Sequence, residues 1–263
     1  MKNLQRWIII VWVGWTLVGV GSAMAANVMY MKNGRKISAK SIQWREGAQE
    51  YRVEDVNGSI IPIGLAQVER MDIDKPADFD RAKGMVEGGQ LDSALPILQK
   101  MVEDYKMMIW DNRARELLAR AYFNKQDYKK AGDALEELFK NARPDEITTT
   151  LRRFYWDTLL LIPERQSTLK KDIELTITTG TRPLAAAAQV MRGQLAKNQG
   201  QKEEALLNFL RAAILYEDVT EVNPEALFKA AEMLDEIRDP RAAELRKKLK
   251  AQYPESEWAK RLM

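Results

Sequence analysis

Ala-centred helical patterns recur along this chain at Ala94, Ala131, Ala205 and Ala243. The gaps are 131 − 94 = 37, 205 − 131 = 74 and 243 − 205 = 38. The middle gap is twice 37, which puts a fifth, eroded copy around Thr168. A fixed period in this range belongs to stacked helical hairpins, each too small to bury its apolar face alone. It constrains the fold more than composition does, and it points to an interaction scaffold.

Two absences narrow the chemistry. The chain has no Cys and no His. Disulfides, thiolate nucleophiles, zinc–thiolate sites, lipid-modified cysteine, His triads and His ligands are therefore excluded. No catalytic, metal-binding or cofactor-binding residue is expected. Glu87-Gly88-Gly89 lacks the Gly-Lys-Ser/Thr of a phosphate loop and reads as a turn. The paired acids Glu136-Glu137 and Glu203-Glu204 sit in Lys-bearing helical stretches and read as solvated faces.

The first residues have the layout of an export signal. Lys2 and Arg6 precede an uncharged apolar run from Trp7 to Val20, and Gly21-Ser22-Ala23-Met24-Ala25 supplies small residues for cleavage after Ala25. An uncleaved membrane anchor is the alternative for this run. Cleavage removes two basic residues, so 41 − 2 = 39 basic residues face 38 acidic ones. That near balance gives no nucleic-acid footprint.

Residues 27–74 alternate with period two. Asn33-Gly34 and Asn57-Gly58 read as type I′ hairpin turns, and Pro62 suits an edge strand. Five short strands in so few residues predict a small SH3-like or Sm-like barrel over 26–75. Asp74-Lys75-Pro76-Ala77 is a short junction, implying a fixed angle between the barrel and the rest of the chain. From Asp78 the period becomes that of helices. Asp127 and Asp239 sit where they can cap second helices, and Gly89 and Gly200 where a left-handed turn is needed. Thr148 begins the degenerate third copy, with Pro163 at its turn.

Ala119, Tyr122, Asp127, Tyr128 and Ala131, with Gly193, Gly200, Ala205, Phe209 and Ala212, resemble the tetratricopeptide repeat (TPR) pattern. The spacing is longer than that family's 34 residues, and its Trp near each repeat start is missing. Tyr253-Pro-Glu-Ser-Glu-Trp-Ala259 resembles the repeat junction of exported bacterial envelope TPR proteins, the outer-membrane assembly and Tol-Pal-associated coordinator families. The resemblance implies a mainly α chain: a TPR-like α-solenoid of about five hairpins over 76–263, after the small β-barrel and a signal peptide at 1–25. It implies a non-catalytic periplasmic scaffold that binds an envelope protein or peptide in a groove lined by first helices. Transferred to matching helices, the groove positions are Glu116, Arg120, Phe123, Arg153, Asp157, Gln194, Lys197, Asn198, Phe228 and Glu232. The alternative is a cell-wall glycan or peptide module using a barrel face of Trp44, Arg45 and Tyr51. The aromatic and Met clusters at 105–110 and 154–156 read as packing between repeats, or otherwise as an exposed anchor patch.

Overall fold

The computed structural model describes residues 27–262. The expected export signal and its cleavage after Ala25 lie outside the described residues. Among those described, no helix is long and apolar enough to cross a membrane.

Strands β1 (Asn27–Met31), β2 (Lys36–Arg45), β3 (Glu50–Asp55), β4 (Ile60–Gly64) and β5 (Val68–Asp72) form one antiparallel sheet. Its order is β4-β3-β2-β1-β5, so β4 and β5 are the edges. Pro62 falls on edge strand β4, where its missing N–H leaves no ladder bond unmade. Met29 pairs with Ile37, Ile42 with Val53 and Tyr51 with Ile63, which brings alternate apolar residues to one face. The type I′ expectation is corrected. Gly34 (φ 81°) and Gly58 (φ 85°) take left-handed backbone, but Asn33 and Asn57 do not. Each loop is a type I turn closed by its glycine, with Gly34 N–H donating to Met31 at 2.8 Å and Gly58 N–H to Asp55 at 3.0 Å.

Five helical hairpins come after the sheet: α1 (Phe79–Glu87) with α2 (Leu91–Asp104), α3 (Ile109–Asn124) with α4 (Tyr128–Asn141), α5 (Thr149–Leu160) with α6 (Gln166–Thr179), α7 (Arg182–Asn198) with α8 (Lys202–Leu215), and α9 (Asn223–Glu236) with α10 (Arg241–Gln252). A short α11 (Glu257–Lys260) starts where Ser256 caps the Ala259 N–H at 3.1 Å, within the motif resembling a repeat junction.

The hairpin turns explain both the period and its lapse. Gly89, Gln126, Gly200 and Arg238 each sit at positive φ. In each case the next residue's N–H reaches back to the helix, as Gln90 does to Met85 and Asp127 to Tyr122, the wrap of a Schellman C-cap. One period beyond Gln126 stands Pro163, whose φ is locked and which has no N–H to give. The third turn is therefore a 3-10 segment, Pro163–Arg165. The helix after it is offset by one, so that Leu169 is buried and Thr168 exposed. The last copy is corrected as well. Ala242 is buried and Ala243 exposed, so the final spacing is 242 − 205 = 37. Asp127 caps α4 through the Lys130 N–H at 3.2 Å, and Thr148 caps α5 through Leu151 at 3.1 Å.

The cluster at 105–110 docks the sheet onto the helices. Met108 is buried in the sheet's own core. Tyr51 Oη donates to the Met107 carbonyl at 2.8 Å, and Trp110 Nε1 donates to the Ile73 carbonyl at 2.9 Å. Lys106 pairs with Glu46 at 2.9 Å. Within this seam Asp111 and Arg115 form a buried ion pair at 2.6 Å. Asp111 also accepts the Met107 and Asn112 N–H groups, so the buried carboxylate has donors on both oxygens.

Candidate functional site

First helices line one side of the solenoid: α5 packs directly on α7, and α7 on α9. Between α3 and α5 that wall opens into a cleft of about 610 Å³. Arg120 comes to it from α3, and Thr149, Thr150, Arg153, Phe154 and Asp157 from α5. Pro183 at the start of α7, with Glu221 and Val222 from the α8–α9 loop, closes the far side.

Three of the expected groove residues, Arg120, Arg153 and Asp157, therefore meet in one cleft. Arg120 is held by Glu116 one turn back, Nη2 at 2.7 Å and Nε at 3.1 Å. Its guanidinium lies 4.7 Å from the centre of the Phe154 ring, a cation–π distance. Phe123 packs edge-on to the same ring at 5.4 Å and against Tyr128 at 5.2 Å. Arg153 pairs with Glu225, a carboxylate only 6 % exposed, which Lys229 also approaches at 3.8 Å. Desolvation lowers the Lys229 pKa, against the opposing pull of Glu225 and Glu232.

Asp157 differs from these. Among the described residues its carboxylate accepts no hydrogen bond and forms no ion pair within 4.0 Å. It is open to solvent at the cleft mouth, but protein mass surrounds it. This desolvation pushes its carboxyl above the ordinary aspartate range, with Glu225 adding to the rise and Arg153 and Lys229 opposing it.

The remaining expected positions lie away from the cleft. Gln194 accepts from Lys229 Nζ at 2.8 Å and donates to Asn198 at 3.0 Å. Lys197 lies 3.8 Å from Glu236. Phe228 packs on Trp258 at 5.3 Å, while Glu232 is exposed. Glu116 lines a smaller neighbouring cleft of about 320 Å³.

The barrel-face alternative is corrected at Tyr51. Its ring is 1 % exposed, its hydroxyl is spent on Met107, and burial with nearby Asp111 pushes its pKa up to about 12. It is a core residue of the sheet rather than part of an exposed face. Trp44 is half-buried, packed at 4.9 Å on Tyr51, and Arg45 pairs with Glu50 at 3.3 Å.

Sequence reasoning misses Thr149, Thr150, Pro183, Glu221 and Val222. The two threonines and Pro183 stand at helix starts, and Glu221 and Val222 sit in a connection outside the repeat pattern. Phe154 reads in sequence as one of the core aromatics. Tyr155 and Trp156 do enter the core, but Phe154 remains half-buried at the cleft.

The cleft supplies cations, carboxylates and an aromatic face, the equipment of recognition. Among the described residues no group of acidic side chains is placed to hold a metal ion.

No family model and no curated protein matches the chain. Solved structures do. One, from Podosopora anserina, consists of nearly identical kinesin light chain TPR-like repeats; it aligns with a TM-score of 0.51 at 16 % identity, covering 66 % of this chain and 92 % of that one. A second is YrrB, described as a TPR protein with an unusual peptide-binding site, with a TM-score of 0.43 at 17 % identity over 70 % of this chain and 89 % of its own. The helical part thus has a TPR-like α-solenoid fold.

Proposed function

We propose that this protein is an exported, non-catalytic scaffold of the bacterial cell envelope that binds a segment of another protein in the cleft between α3 and α5. The observation that carries this reading is the cleft itself. Successive hairpins contribute to it side chains of three kinds, an arginine laid on an aromatic ring, two threonines and an unpaired carboxylate. Mixed polar groups around an apolar face suit a peptide chain, which offers backbone, charge and side-chain apolar surface together. Export rests on the Met1–Ala25 pattern and the envelope setting on the Tyr253–Ala259 motif. The absence of His and Cys supports a binding role over an enzymatic one.

Thr150 is exposed on the cleft wall, so Thr150→Trp fills the opening without disturbing the core. Affinity capture from envelope extract should recover a discrete protein with the wild-type chain and lose it with Thr150→Trp. Equal recovery by both refutes the cleft. Intact mass of the exported chain checks the leader, with Ala26 expected as the first residue.

A further inference from the structure

We infer that the cleft receives a cationic side chain, Lys or Arg, from its partner segment, seated against Asp157 and Glu221. This rests on the cleft being the docking site.

The argument is one of charges already in use. Arg120 and Arg153 line the cleft, and by sign alone they suggest an acidic partner. Arg120, however, is neutralised by two hydrogen bonds to Glu116. Arg153 is neutralised by Glu225, a buried carboxylate that would be left without its closest cation if an incoming acid took the arginine. Asp157 and Glu221 have no such partner among the described residues, neither a hydrogen bond nor a cation within 4.0 Å. The open valences of this cleft are negative.

Three helix starts oppose this, since α5, α7 and α9 all begin at the cleft, Val222 being the N-cap of α9. Each is equivalent to about half a positive charge, and on α5 the Leu151 N–H is already capped by Thr148. Two full carboxylates outweigh them. The surroundings of Asp157 strengthen the case. Protein mass desolvates its carboxylate while supplying no counter-ion within 4.0 Å, so an arriving ammonium or guanidinium gains more there than at an open surface. Half-buried Phe154 and exposed Pro183 offer apolar surface for the stem of a long basic side chain.

The test is fluorescence anisotropy with two length-matched labelled peptides, one bearing Lys and Leu and the other with Glu in place of each Lys. The protein is the full exported chain. The Lys peptide should bind at least about tenfold tighter than the Glu peptide. Asp157→Asn combined with Glu221→Gln should weaken the Lys peptide by at least about tenfold. Neither carboxylate has a partner to orphan, so circular dichroism should show an intact fold, and Thr150→Trp should abolish binding. If the double variant binds the Lys peptide as the wild type does while Thr150→Trp does not, the charge inference is overturned and the docking site stands. Equal or tighter binding of the Glu peptide also overturns it. Binding of the Lys peptide that survives Thr150→Trp, or no binding of either peptide, removes the docking site and the inference with it.

Discussion

Gly193→Ala sets two known effects against each other. Gly193 lies inside α7, where alanine is favoured over glycine by about 1 kcal/mol on backbone grounds. The structure predicts the opposite sign. A Cβ at this position stands 2.6 Å from Cε1, 2.7 Å from Cδ1 and 3.0 Å from Cζ of Phe209. Ordinary contact begins at 3.4 Å, so the ring must retreat by roughly 3.4 − 2.6 = 0.8 Å. Phe209 is fully buried and belongs to the main helical core, so that retreat strains its neighbours. Overpacking of this kind costs about 1–3 kcal/mol, and a displacement this large belongs at the upper end. Set against the helical gain, the net is a loss of about 2 kcal/mol. Urea unfolding monitored by circular dichroism should show it, with a fall in melting temperature of roughly 4–8 °C. Gly193→Ala with Phe209→Leu should be more stable than the sum of the single changes allows. A Gly193→Ala protein as stable as the wild type refutes the close approach of α7 and α8. Gly132→Ala is the control: its Cβ meets the tips of Arg165 and Ile162 at 2.9 and 3.1 Å, so its loss should be smaller.

Other consequences are measurable. Tyr51→Phe leaves the Met107 carbonyl without its donor and should cost about 1–2 kcal/mol, read as faster amide exchange across the sheet–helix seam. Gln126→Gly and Arg238→Gly remove side chains from left-handed backbone; the relief of about 1–2 kcal/mol exceeds the entropy glycine adds to the unfolded chain, so each should raise the urea midpoint. Asp157 has its folded pKa raised above the unfolded value of 3.8, so the folded state holds the proton more tightly and stability declines as pH rises from there through the folded pKa. Asp157→Asn should therefore be more stable than wild type at neutral pH, an advantage that vanishes below the unfolded pKa. Asp239 has the reverse sign. Its bonds to Arg241 hold its pKa at about 2, so its contribution is present above pH 3.8 and lost as pH falls through about 2, which Trp258 fluorescence can track.

The features legible in the sequence are those set by residues acting locally. The five strands, the helical period and the Asp127 and Thr148 caps depend on neighbours a few positions away, and they stand where pattern and turn chemistry put them. The misplacements concern single residues. Ala242 and Ala243 are adjacent and alike in sequence, and only packing chooses between them. Counting alone reaches Thr168, but Pro163 forbids the turn that would keep the count. Asn-Gly suggests type I′ loops because that pair fits them best, yet here the glycine alone takes the left-handed position. The cleft is half visible. Arg120, Arg153 and Asp157 are found from their places on first helices. Glu221 and Val222 are not, because a connection between hairpins carries no period. Nor does sequence show that Glu116 and Glu225 have already claimed the two arginines, a matter of side-chain reach across a turn and between helices.

The most direct test of the central claim is site-specific photo-crosslinking in the living envelope. A photoreactive residue is placed at Thr150 in the cleft and, separately, at Ile214, exposed on the second helix α8. The account predicts a discrete protein adduct from Thr150, mapping to one segment of the partner, and none from Ile214. The same adduct from Ile214, with nothing captured at Thr150, contradicts it.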